Sequence, residues 1–152
     1  LIVTGWHRSY SDSQDYFGHG PGLAPEAAMW LRDAGAKLVG VDTPYVDHPL
    51  ATQLAEHRGG PLSPYLVPRY ESETGRVASQ DFPDLNPAHR VLLEADIPTI
   101  ENVGGDIDLL LGKRVTIQSF PWRWPEGDAC PVRLVALRDG RGDYRIEMGD
   151  AK

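Results

Sequence analysis

Two stretches in which a helix hands over to a strand constrain this chain more than any other feature. In the first, Pro25 sits in the opening turn of a helix, where proline is tolerated, and Ala27, Ala28, Met29, Trp30, Leu31 and Ala34 continue it. Gly35 ends that helix, and Lys37-Leu38-Val39-Gly40-Val41 follows as a buried strand. In the second, Asn86 is placed to cap a helix that Pro87 opens and that runs to about Ala95. Pro98-Thr99-Ile100-Glu101-Asn102 reads as the strand after it. Leu1-Ile2-Val3-Thr4 is a further apolar strand, separated from the first helix by a polar, glycine-rich loop from Trp6 to Gly22. Strands alternating with helices in this way specify an α/β fold.

The remainder is less regular. Asp106 to Leu111 reads as a short helical turn closed by Gly112. Arg114 to Phe120, Pro131 to Leu137 and Asp143 to Met148 read as three closing strands, and Val115, Ile117 and Ser119 alternate with Arg114, Thr116 and Gln118 as a half-buried strand requires. Thr43 to Pro87 holds seven prolines, and its Glu71-Ser72-Glu73-Thr74-Gly75 stretch is turn-like. Loops of this length are uncommon in compact domains and are often lids or binding loops, so residues 49 to 85 are expected to be either a functional or oligomer-contacting excursion or mere decoration.

Bulk properties narrow the classes. At 152 residues the chain is about one domain, and 41% hydrophobic with 24% charged residues is ordinary globular composition. The formal net charge of -7 argues against nucleic acid, whose phosphates need a basic face. No apolar run approaches the roughly 18 residues of a membrane span. One cysteine, Cys130, leaves no intrachain disulfide, so a reducing cytoplasm is the expected compartment. A chain that opens in mid-strand without Met is expected to be a fragment, a processed chain or a partner subunit.

His89 lies near the start of the second helix and Glu101 on the strand after it, so the two can meet although twelve positions apart. An imidazole and a carboxylate at one point suit a zinc- or manganese-type cation. His19, in a glycine-rich loop, is either a residue facing a pocket or simply a loop histidine beside a turn, and Trp6 and Phe17 are either an aromatic wall for a flat substrate or core packing. Asp42, Asp47 and His48 cluster after a strand, where open α/β sheets place their sites, although Asp42-Thr43-Pro44 is also simple turn chemistry. Cys130, with no local histidine partner, reads as a buried structural thiol.

Several segments in order carry a resemblance. They are Leu1-Ile2-Val3-Thr4-Gly5-Trp6, Tyr16-Phe17-Gly18-His19, Gly22-Leu23-Ala24-Pro25-Glu26-Ala27-Ala28, Leu38-Val39-Gly40-Val41-Asp42-Thr43-Pro44 and Val46-Asp47-His48. His89-Arg90-Val91-Leu92-Leu93, Ile100-Glu101-Asn102-Val103 and Cys130-Pro131-Val132-Arg133-Leu134-Val135-Ala136-Leu137 continue the series. This order resembles the cyclase family of metal-dependent hydrolases, which includes kynurenine formamidase and isatin hydrolase. The resemblance covers most of the chain outside roughly residues 49 to 85, and so treats residues 1–152 as a single cyclase-like domain. It implies a swivelling β/β/α fold, a mixed sheet with flanking helices, and hydrolysis of a linear or cyclic amide by water activated on zinc or manganese.

In the kynurenine formamidase branch, a histidine and a glutamate spaced as His89 and Glu101 are metal ligands. The resemblance places the remaining ligands in a His-x-Gly-Thr-His-x-Asp motif, with a further histidine as general acid or base. None of the five histidines here shows that spacing, so the catalytic histidine is expected outside this chain. The polypeptide resembles the C-terminal portion of a family member, completed by an N-terminal segment or companion chain in a homo- or hetero-oligomer. Trp6, Phe17, His19, Asp47 and His48 are the expected substrate-side residues. The rival expectation is a non-catalytic or regulatory binding subunit that keeps the fold without the chemistry.

Overall fold

The computed structural model describes residues 1–55, 57, 59–60 and 63–138. The strand expected over Asp143 to Met148 lies outside them. Two compact units are present, Leu1–Gly105 and a second that begins at Asp106. Together the elements make a mixed α/β structure of helices and small sheets.

The first unit contains α1 (Gln14–Gly18), α2 (Pro25–Asp33), β1 (Val39–Gly40), α3 (Ser63–Thr74), α4 (Ala78–Asp81), α5 (Pro87–Leu93) and β2 (Thr99–Ile100). β1 pairs with β2 in parallel, Val39 opposite Thr99 and Gly40 opposite Ile100, and on its other side Val41 bridges Ile2 in parallel. The two helix-then-strand units thus place their strands side by side, with α2 and α5 packed together over them. Ala28 of α2 and Ala88 of α5 are fully buried, and such small side chains let two helices approach closely. Leu92, Val39, Val41, Val46 and Ile97 complete this core, each burial worth roughly 1.5–3 kcal/mol.

The strands are shorter than the sequence pattern suggests, for identifiable reasons. The run over residues 1–4 makes a single bridge at Ile2, because the amides of Thr4 and Gly5 turn away to the Asp42 carboxylate. The strand expected over Pro98 to Asn102 is cut to two residues: Pro98 has no N–H to give, and Asn102 adopts a left-handed φ of 56°. The loop expected from Trp6 to Gly22 contains a 3-10 turn at Trp6–Ser9 and α1, whose start is capped by Ser13 Oγ accepting the Tyr16 N–H at 3.1 Å.

Residues 49 to 85 carry a second apolar cluster of Leu50, Ala55, Leu66 and Ala78, flanked by Leu54, Val67, Tyr70 and Phe82. The Glu71–Thr74 stretch, expected as a turn, is the last turn of α3, and the left-handed Gly75 (φ 69°) follows it. Tyr70 donates its hydroxyl to Asp81 Oδ2 at 2.5 Å, and Glu71 accepts the Ala78 N–H at 3.0 Å, tying α3 to α4.

The second unit opens with a 3-10 turn at Asp106–Leu110. β3 (Thr116–Phe120) then pairs antiparallel with β4 (Arg133–Leu137), Thr116 opposite Leu137 and Phe120 opposite Arg133. Both strands start two residues later than expected. Cys130 Sγ accepts the Trp122 N–H at 3.2 Å, a structural use of the thiol, although the residue is half-buried rather than buried as expected, because it sits at a loop end. Among the described residues no helix is long and apolar enough to cross a membrane.

Candidate functional site

Parallel pairing sets β2 beside β1, and the chain leaving β1 folds across the end of β2. That return segment organises two acidic groups. Asp47, 2% exposed, accepts the N–H of Ala88 at 2.7 Å and of His89 at 3.0 Å, so it caps the first turn of α5 from forty positions away. Asn86, the cap expected from the sequence, makes no side-chain cap bond and sits in a left-handed conformation at φ 47°. A carboxylate outranks a carboxamide here because it also opposes the positive end of the helix. Next door, Val46 donates its N–H to Glu101 Oε1 at 2.8 Å.

Residues 46 and 47 therefore brace both members of the expected pair. His89 Nδ1 lies 3.7 Å from Glu101 Oε1, and the two side chains are 29% and 30% exposed, open enough to be reached from solvent. His89 Nε2 lies 3.3 Å from Thr99 Oγ1. When Nε2 carries the proton and gives it to Thr99, Nδ1 presents its lone pair towards Glu101. Burial pushes the Glu101 carboxyl above its ordinary range, offset in part by the Val46 N–H and by His89. Burial likewise raises Asp47, offset by the two α5 amides.

Two donors on one tetrahedral zinc lie about 3.4 Å apart, so the 3.7 Å approach is compatible with a shared cation. The donor types fit zinc or manganese; the donor number does not complete a site, since structural and catalytic zinc take three or four protein ligands. Among the described residues there is no group of three or more His, Cys, Asp or Glu placed to hold a metal.

Asp42 is a different object. It is fully buried and accepts Thr4 N–H at 2.9 Å, Thr4 Oγ1–H at 2.8 Å, Gly5 N–H at 2.8 Å and His7 N–H at 3.4 Å, and it lies 2.8 Å from His7 Nδ1. Burial alone would raise its pKa, yet the bonds from His7 and Thr4 hold it down to about 2. The local turn chemistry expected of Asp42 is absent: its partners are 35 to 38 positions away, and Thr43 Oγ1 alone bonds locally, to the Tyr45 carbonyl. With its lone pairs engaged, this carboxylate is an internal tie between the first residues and β1.

The other expected substrate-side residues fall into two groups. Trp6 donates Nε1–H to the Tyr16 carbonyl at 3.0 Å and stacks on the Tyr16 ring, whose edge Phe17 meets at 5.2 Å. Tyr16 in turn donates its hydroxyl to Asn102 Oδ1 at 2.7 Å. His19 and His48 instead line a cavity of about 220 Å³ with Leu50, Leu66, Arg69 and Glu73. The sequence reading missed Arg69 and Glu73; their spacing of four along α3 was a usable signal, since it forms an ion pair on one helix face at 2.8 Å.

Residues 1–48 match the Cyclase family model, described as "Putative cyclase". No curated protein and no solved structure matches the chain. The matched segment contains Asp42, Asp47 and His48 and ends before His89 and Glu101.

Proposed function

We propose that this chain supplies His89 and Glu101 as two ligands of a divalent-metal site, zinc or manganese, in an enzyme that hydrolyses linear or cyclic amides. The observation that carries the reading is the 3.7 Å approach of an imidazole and a carboxylate, each braced by the same two-residue segment. The family match over residues 1–48 supports the cyclase part of the reading, and that segment ends just after Val46 and Asp47. We further propose that the remaining ligands and a proton-transferring histidine come from an N-terminal segment or a companion chain, on a swivelling β/β/α fold in an oligomer.

When bound, a divalent cation supplies Lewis acidity that polarises a carbonyl and acidifies water. The residues of this chain prepare for it. Asp47 fixes the backbone at His89, so the ring is delivered from a rigid helix start. Thr99 orients the imidazole through Nε2. Val46 holds one oxygen of Glu101, and the half-buried position of that carboxylate favours pairing with an incoming positive charge.

The natively purified protein is the material for the test: metal content and hydrolysis of formamides and lactams, in the wild type and in His89→Ala and Glu101→Ala. Each variant is expected to lose metal affinity by about tenfold or more, with activity following the metal. Metal content and activity unchanged in both variants would overturn the assignment, and a fold that binds amides without turning them over would mark a binding subunit instead.

A further inference from the structure

The cavity lined by His19, His48, Leu50, Leu66, Arg69 and Glu73 shares no residue with the His89–Glu101 pair. We propose that it binds a small carboxylate, gripped by the Arg69 guanidinium and the Nε2–H of His48, with a short apolar body against Leu50 and Leu66.

The orientation of His48 is set by its surroundings. Its Nδ1 accepts the Leu50 N–H at 3.2 Å, which leaves the ring proton on Nε2. The ring is stacked on Phe82 at 4.6 Å with 14° between planes. Burial, and next the neighbouring His19, push its pKa down to about 4, so at neutral pH it is an uncharged donor in a fixed tautomer.

Arg69 supplies the charge. It spends Nε–H on Glu73 Oε1 at 2.8 Å and one Nη1–H on His19 Nε2 at 2.9 Å, two of the five donors a guanidinium owns. Three acceptors at the cavity are engaged inside the protein, Glu73 Oε1 and His19 Nε2 by Arg69 and His48 Nδ1 by Leu50, while Asp15 Oδ1 approaches Arg69 Nη1 at 3.9 Å from the outer side. The Tyr70 hydroxyl is given to Asp81. The three remaining guanidinium N–H groups and the His48 Nε2–H are donors that call for a ligand with acceptors, and the planar fork of a guanidinium matches a carboxylate. The floor of Leu50 and Leu66, 2% and 5% exposed, adds an apolar requirement. At about 220 Å³ the cavity is below the size of drug-binding pockets and suits a small ligand.

Isobutyrate and its neutral isostere isobutyramide are matched probes. In the purified chain with isotope-labelled histidine, isobutyrate is expected to cause a saturable shift at His48 Nε2, with isobutyramide weaker by about tenfold or more. Arg69→Gln, at a half-exposed position on α3, is expected to abolish that preference while leaving the circular dichroism spectrum intact, and Arg69→Lys to retain part of it. Equal binding of acid and amide, a preference that survives Arg69→Gln, no saturable shift at all, or a His48 proton found on Nδ1 would each overturn the proposal.

Discussion

Asp42, Asp47, His48 and Glu101 fall within one short stretch of β1's exit and β2's end, yet burial treats each differently because their hydrogen bonds differ. Asp42 is held at about 2 against an ordinary 3.8, so its stabilisation is present above pH 4 and is lost as pH falls towards 2, about 2 kcal/mol in all. His48 is held at about 4 against 6.5, so the unfolded chain takes up its proton first; stability is full above pH 6.5 and declines as pH falls towards 4, by at most about 3 kcal/mol. Thermal melts from pH 8 to pH 3 are expected to show the His48 decline first, and His48→Gln to flatten the upper part of the curve. Asp42→Asn, which sets an amide NH₂ against the N–H groups of Gly5 and His7, is expected to cost about 3 kcal/mol in chemical denaturation. Glu101 runs the other way. Its carboxyl is raised by burial, so its charge is a cost to the metal-free fold, and Glu101→Gln is expected to raise the melting temperature of that form while removing metal affinity. A lower melting temperature in Glu101→Gln would mean that the carboxylate is a structural support.

At the scale of elements, α2 and α5 were legible because proline at the first turn is local punctuation that tertiary context does not overrule, and Gly35 (φ 80°) closes the stretch after α2 in the same local way. The cap of α5 was not legible, since the group that satisfies its amides is Asp47, forty-one and forty-two positions away. Asp47→Ala is therefore expected to cost about 1–2 kcal/mol and Asn86→Gly only a few tenths, a contrast that urea denaturation can read. Equal costs would restore Asn86 as the cap. The helices within residues 49–85 were hidden by their prolines. Pro68 sits inside α3 and removes one ladder bond, a local penalty offset by burying Leu66 and packing Tyr70 in the second apolar cluster. The same distance problem separates the two sites. His89 and Glu101 were predictable as neighbours because a helix followed directly by a strand returns the chain to its start; Arg69 meets His19 across fifty positions, and spacing carries no sign of that.

At the scale of the whole molecule, the parallel pairing of Ile2, β1 and β2 under α2 and α5 realises the α/β class expected from alternating elements, and the family match over residues 1–48 spans the first helix-then-strand unit of that arrangement. The central claim concerns what the second unit adds, a histidine from α5 and a glutamate after β2 brought within 3.7 Å. Metal analysis of the natively purified protein beside its His89→Ala/Glu101→Ala double variant tests it most directly. The account predicts zinc or manganese bound in the wild type and lost in a double variant that keeps its fold. Equal metal content in the two proteins, or none in the wild type, would contradict it.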